Sequence, residues 1–169
     1  MENIIYRNPS VEDAQKIVDF YNFVGGETSY LSFEKDEYPL DVEAQVASIK
    51  SLEGNQTNIM IMAMDGEEIA GIATINSSHK IKSRHEGELG IVVAKKYQGK
   101  GIGTELIKRL IEWARGNGVT TRIKLDTRAD NTNAVSLYLK FGFQFEGCLK
   151  NSTLLNGKYY DLYVMGMML

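Results

Sequence analysis

The sequence has little of what marks several common protein classes. Cysteine occurs once, at Cys148, so no internal disulfide can form, and two histidines with one cysteine cannot supply a structural zinc set. No metal is expected. Basic residues do not outnumber acidic ones: 19 Lys and Arg stand against 22 Asp and Glu, giving a formal net charge of −3 and a pI near 5.5. That balance argues against nucleic acid as the main partner, because phosphate-backbone binding needs a basic face. No apolar run approaches the ~20 residues needed to cross a bilayer. The opening MENIIYRNPSVEDAQ lacks both the apolar core of a signal peptide and the Arg-rich, acid-poor look of a transit peptide. No membrane partner is expected, and a reducing, cytoplasmic location is.

What remains is ordinary globular material, 43% hydrophobic and 24% charged over 169 residues, enough for one well-formed core. Residues 4–7 read as a short strand. Ser10 with Asp13 has capping-box spacing, and Ala14, Ile17, Val18 and Tyr21 form the apolar stripe of the helix that follows. Residues 24–40 read as irregular and acidic, and Asp41 then caps a helix with Val42, Val46, Ile49 and Leu52 on one side. NIMIMAM and EIAGIATI flank Asp65-Gly66 as a hairpin, and GELGIVV (87–93) is a further strand. A helix with Leu106, Ile107, Leu110, Ile111 and Ala114 on one face follows, ended by Gly116 and Gly118. RIKLDT is a strand, 131–141 a helix carrying Ala134, Leu137, Tyr138 and Phe141 at helical spacing, and Asn156-Gly157 marks a last hairpin. There is no repeat and no linker. The order β-α-α-β-β-β-α-β-α-β-β reads as one α/β domain over residues 1–169.

Between the strand ending at Val93 and the next helix lies AKKYQGKGIGT, with glycines at 99, 101 and 103 and lysines at 95, 96 and 100. Glycines at a helix start let an anion approach unpaired backbone N–H groups at the positive end of the helix dipole. A P-loop would need G-x-x-x-x-G-K-[ST], which is absent. A dinucleotide fingerprint from Gly99 or Gly101 would need glycine at 104 or 106, where Thr104 and Leu106 stand. Asp126 lies near where a ribose-binding acid would fall, which keeps a nicotinamide-dependent oxidoreductase as an alternative.

Gln98-Gly99-Lys100-Gly101-Ile102-Gly103 fits Q-x-x-G-x-G, and NTNAVSLYLKFGF (131–143) fits N-x-x-A-x-x-L-Y-x-x-x-G-F at the following strand-helix unit. With both motifs in this order the chain resembles the GNAT superfamily of acetyl-CoA-dependent N-acetyltransferases. The resemblance implies a mixed, splayed β-sheet flanked by about four helices in a single domain. It implies acetyl-CoA as acetyl donor, with pyrophosphate on the amides of Gln98, Gly99, Lys100, Gly101, Ile102, Gly103 and Thr104. The strand edge Ile91, Val92 and Val93 would pair with the pantetheine arm, Asn131 would hydrogen-bond to it, and a backbone N–H near Val93 would hold the oxyanion.

Tyr138 stands where the family has its general acid, and a phenol of pKa about 10 would donate to the leaving thiolate and end activity on a basic limb near that value. Otherwise Tyr138 only completes its helix's apolar stripe. Glu88 is the candidate base for the amine, Glu86 the runner-up, and a water chain or a merely solvated strand face the alternatives. The acidic residues Glu27, Glu34, Asp36 and Glu37 would favour a cationic acceptor, a small-molecule amine or an amino acid, with a protein N-terminal amine as the alternative. A catalytically silent acyl-CoA-binding module and a homodimer remain open. Cys148 is expected to pack in the interior, and His79 and His85 to be solvated loop residues.

Overall fold

A computed structural model describes residues 4–169; residues 1–3 of the opening stretch lie outside it. Seven strands form one sheet in the order β1-β2-β3-β4-β5-β7-β6. They are β1 (Ile5–Arg7), β2 (Ile59–Asp65), β3 (Glu68–Ser77), β4 (Glu86–Val93), β5 (Arg122–Arg128), β6 (Gln144–Leu155) and β7 (Lys158–Met168). Every neighbouring pair is antiparallel except β4 and β5. The helices are α1 (Ala14–Glu27), α2 (Val42–Leu52), α3 (Ile102–Gly116) and α4 (Thr132–Phe141). Among the described residues no helix is long and apolar enough to cross a membrane.

Residues Ile59 to Met64 are buried without interruption, the mark of a strand covered on both faces. α3 covers one face, where a Cβ on Gly71 would lie 3.2 Å from both Leu106 and Val93. α1 and α2 pack together over the other. Asn156 and Gly157 both take positive φ, 49° and 74°, the conformation of the two-residue turn that matches the twist of a hairpin.

The first helix opens on the expected Ser10–Asp13 capping box and departs from expectation at its far end. Ser10 and Asp13 bracket a short 3-10 turn, Val11–Asp13, that leads into α1, and the Asp13 carboxylate accepts from the Ser10 N–H at 2.7 Å. Asp13 also holds Arg7 of β1 through two bonds of 2.6 and 2.8 Å. At the far end α1 runs on through Gly25 and Gly26 to Glu27, so the irregular segment starts at Thr28. The glycines serve packing there: a Cβ on Gly25 would sit 2.6 Å from the Glu34 carbonyl oxygen. The segment folds back along the end of its own helix.

Cys148 is exposed, contrary to the expectation of packing. β6 is a sheet edge, and its residues are exposed along nearly its whole length.

Candidate active site

β4 and β5 pair only at Glu86 with Arg122, Gly87 with Ile123 and Glu88 with Lys124. Beyond that rung β4 continues to Val93 and β5 to Arg128 without pairing, so the sheet opens into a V-shaped crevice. Strand parity decides which backbone groups face it. Ala94 N–H donates to the Ala70 carbonyl at 3.0 Å, and the β3–β4 register is unbroken from Gly71–Val93 to Ser77–Gly87. Antiparallel partners alternate between exchanging and not exchanging hydrogen bonds. Val92 therefore bonds to β3, whereas Ile91 and Val93 turn their N–H and C=O groups away from it, into the crevice. The Gln98 side chain donates to the Val93 carbonyl at 3.1 Å.

The loop leads from this strand edge to α3. Gly99 and Gly101 have φ of 74° and 83°, and beyond their immediate chain neighbours no atom lies within 4 Å of where a Cβ would stand on either. The open space and the free N–H groups of α3's first turn together fit a phosphate group. Gly103 serves differently. It lies inside α3, and a Cβ there would meet Leu137, Val93 and Ile91 at 3.7, 3.8 and 3.9 Å. α3, α4 and the crevice edge of β4 thus converge at one point, one residue from Tyr138. The lysines divide as well: Lys96 pairs with Glu68 at 2.6 Å, while the Lys100 ammonium sits 5.3 Å over the Tyr97 ring.

Tyr138 is buried, its ring edge-on to Phe143, and among the described residues its hydroxyl has no hydrogen-bond partner. Burial alone pushes the phenol up to about 12. It therefore stays protonated well past the expected basic limb near 10. Asn131 caps α4, its Oδ1 accepting from Ala134 N–H at 3.4 Å, which leaves its amide N–H groups to donate elsewhere. The two candidate carboxylates on β4 differ sharply. Glu86 is tied to Arg122 at 2.7 Å and Lys124 at 3.0 Å, and the Arg122 hydrogen bond holds its carboxyl below the usual range. Glu88 has only Lys124, 3.9 Å away, and its side chain is 62% exposed. Of the two, Glu88 is the one open to solvent.

The sequence pattern of the acetyltransferase (GNAT) family matches residues 21–143. The chain belongs to that family. It is 31% identical over 106 residues to the L-amino acid N-acetyltransferase AaaT of Escherichia coli, a match covering 63% of this chain and 65% of that one. The chain thus matches just under two thirds of that relative's length. It is 28% identical over 131 residues to the ribosomal-protein-serine acetyltransferase of Escherichia coli, covering 74% and 72%. The solved GNAT-family acetyltransferase of Streptococcus pneumoniae superposes at a TM-score of 0.96 with 32% identity, over 99% of this chain and 100% of that one. The splayed sheet with four helices is the GNAT fold.

In this GNAT chain the residues singled out from sequence divide by position. Ile91, Val93 and the loop from Gln98 to Thr104 border one continuous crevice, with Asn131 and Tyr138 on the helix beside it. Val92 does not face the crevice, because its backbone is spent on β3. Two contacts carried no sequence signal. Glu27 Oε2 accepts from the Lys95 N–H at 3.0 Å. Arg128, 5% exposed, donates from Nη1 to the Ser29 carbonyl at 2.8 Å and from Nε and Nη2 to Asp130. Its guanidinium lies 4.8 Å over Tyr30 and 3.9 Å over Tyr160.

Proposed function

We propose that this protein transfers the acetyl group of acetyl-CoA to a primary amine of a small molecule or amino acid, by direct attack in a ternary complex. The observation that carries the proposal is the crevice itself. Its Ile91 backbone groups and Val93 N–H, not bonded to β3, run into the open glycine loop, an arrangement suited to an amide-bearing arm ending in phosphates. Acetyl-CoA supplies an activated acetyl thioester. Ile91 and Val93 would hold the amide arm as a strand would. The loop amides from Gln98 to Thr104, with Lys100, would hold the pyrophosphate, and the Asn131 amide would donate to the arm.

The chemistry balances on three proton movements. The ammonium first loses a proton. The free amine then forms the N–C bond, and a crevice N–H of β4 steadies the oxyanion. As the C–S bond breaks, Tyr138 gives its proton to the thiolate, which a neutral buried phenol can do, and the nitrogen, cationic since the N–C bond formed, gives up its second proton through water, which restores the phenol. Glu88 lies five residues before Val93, roughly 17 Å along an extended strand, so it would take the amine's proton through intervening water. A small acceptor is favoured because residues 27–30 lie across the open end of the crevice. The AaaT relative, named for L-amino acids, agrees with that choice.

The test is release of free thiol from acetyl-CoA with a panel of amines, amino acids, polyamines and N-terminal peptides, with products weighed by mass spectrometry. Acetylation of a small amine is expected. Acetylation of peptides alone would reassign the acceptor. Acetyl-CoA binding without turnover of any amine would leave a silent binding module.

A further inference from the structure

Residues 27–30 bridge the two arms of the V. Glu27 reaches the end of β4 through the Lys95 N–H, and Ser29 and Tyr30 reach the end of β5 through Arg128. The close approach of Gly25 to the Glu34 backbone sets where this bridge leaves α1. Only one oxygen of the Glu27 carboxylate is used. Among the described residues its other oxygen has no hydrogen-bond partner, and the carboxylate makes no ion pair.

Distance separates this group from Glu88. Lys95 N is two residues beyond Val93, at most about 7 Å along the chain, whereas Glu88 lies roughly 17 Å the other way. We propose that Glu27 is the carboxylate that receives the acceptor's ammonium group at the open end of the β4–β5 crevice. This rests on the acetyltransferase reading. Glu27 would hold a cationic amine by a charge-assisted hydrogen bond from its free oxygen, while its other oxygen, fixed on Lys95, keeps it in register with Val93. The selected acceptor class is a protonated primary amine. Its surplus proton leaves through water before attack, and Glu27 stays ionised throughout.

The plainer role for the same bond is capping the 3-10 turn Lys95–Tyr97. Glu27→Gln separates the two, because an amide oxygen still accepts from Lys95 N–H but carries no charge. The probes are n-butylamine, which is cationic at neutral pH, and hydroxylamine, which is not. In Glu27→Gln, KM for n-butylamine should rise roughly tenfold to a hundredfold, the worth of a hydrogen bond to a charged group. Its kcat, its KM for hydroxylamine and its acetyl-CoA affinity should stay within about twofold of the parent, as for a contact that serves binding alone. Calorimetric titration of n-butylamine into the CoA-bound protein should show the same loss without turnover. Equal n-butylamine affinity in wild type and Glu27→Gln, or none in wild type, overturns the inference. If Glu27→Ala alone is impaired, the residue is a cap. Failure of the whole amine panel would instead overturn the acetyltransferase reading.

Discussion

Along β4 and the loop into α3, the groups that border the crevice belong to the backbone: Ile91 and Val93 by strand parity, Gly99 and Gly101 by positive φ. Along residues 27–38 most contacts to other elements run through a side chain. Glu27 holds Lys95, Arg128 holds Ser29, and Tyr38 stacks on Tyr21 with centroids 4.5 Å apart while its hydroxyl donates to Gln45. A backbone site tolerates almost any sequence that preserves strand, turn and helix, so it suits a constant donor. A side-chain site changes with each substitution, so it suits a variable acceptor. Under the proposed function the first region takes the donor and the second the acceptor.

The hardest blow to the donor side is Gly101→Asp. It puts a side chain at φ 83°, a region L-residues rarely adopt, and an acid where a phosphate is to sit. Acetyl-CoA binding by calorimetry should disappear while the melting temperature falls by only the few degrees that one strained left-handed residue costs. Tyr138→Phe comes next. The ring and its packing remain, so acetyl-CoA affinity should stay within a few-fold and turnover should fall by roughly a hundredfold. With the phenol pushed up to about 12, any basic limb in the parent's pH profile below that value belongs to another group and should survive in the mutant.

On the acceptor side, Arg128→Ala removes the guanidinium's hydrogen bonds to the Ser29 carbonyl and the Asp130 carboxylate, which should cost about 2 kcal/mol in chemical unfolding and raise the acceptor KM without weakening acetyl-CoA. Acid probes the same contact. The Arg128 hydrogen bond holds the Asp130 carboxyl below its usual range. Its contribution is complete above the ordinary aspartate value of about 4 and is lost as pH falls through the lowered one. That acid sensitivity should vanish in Arg128→Ala. The smallest effect is reserved for Gly103→Ala, whose added methyl meets only ordinary contacts at 3.7 Å or more. Acetyl-CoA affinity within twofold of the parent would separate the packing glycine from the two turn glycines.

The donor side was the more legible in sequence, for the same reason that it is made of backbone. The glycine spacing, the strand before it, the helix stripe at Leu106 and Leu110 and the Asn156-Gly157 turn are local patterns. The acceptor side depends on pairs far apart in sequence, Glu27 with Lys95 and Ser29 with Arg128, which no local period reports. Gly25-Gly26 reads as a helix breaker, yet both glycines are helical because the Glu34 carbonyl fills the space of a side chain. Nothing local in the lysine run shows that β3 brings Glu68 to Lys96. Cys148 reads as core until β6 proves to be an edge.

Backbone amide hydrogen exchange, resolved by residue and measured with and without acetyl-CoA, tests the crevice most directly. The amides of Ile91, Val93 and Gly99 to Thr104 should slow on adding acetyl-CoA, and those of Val92 and Ala94, already bonded to β3, should not change. Unaltered exchange at Ile91 and Val93 under saturating acetyl-CoA, or protection confined to another part of the sheet, would contradict a donor site between β4 and β5.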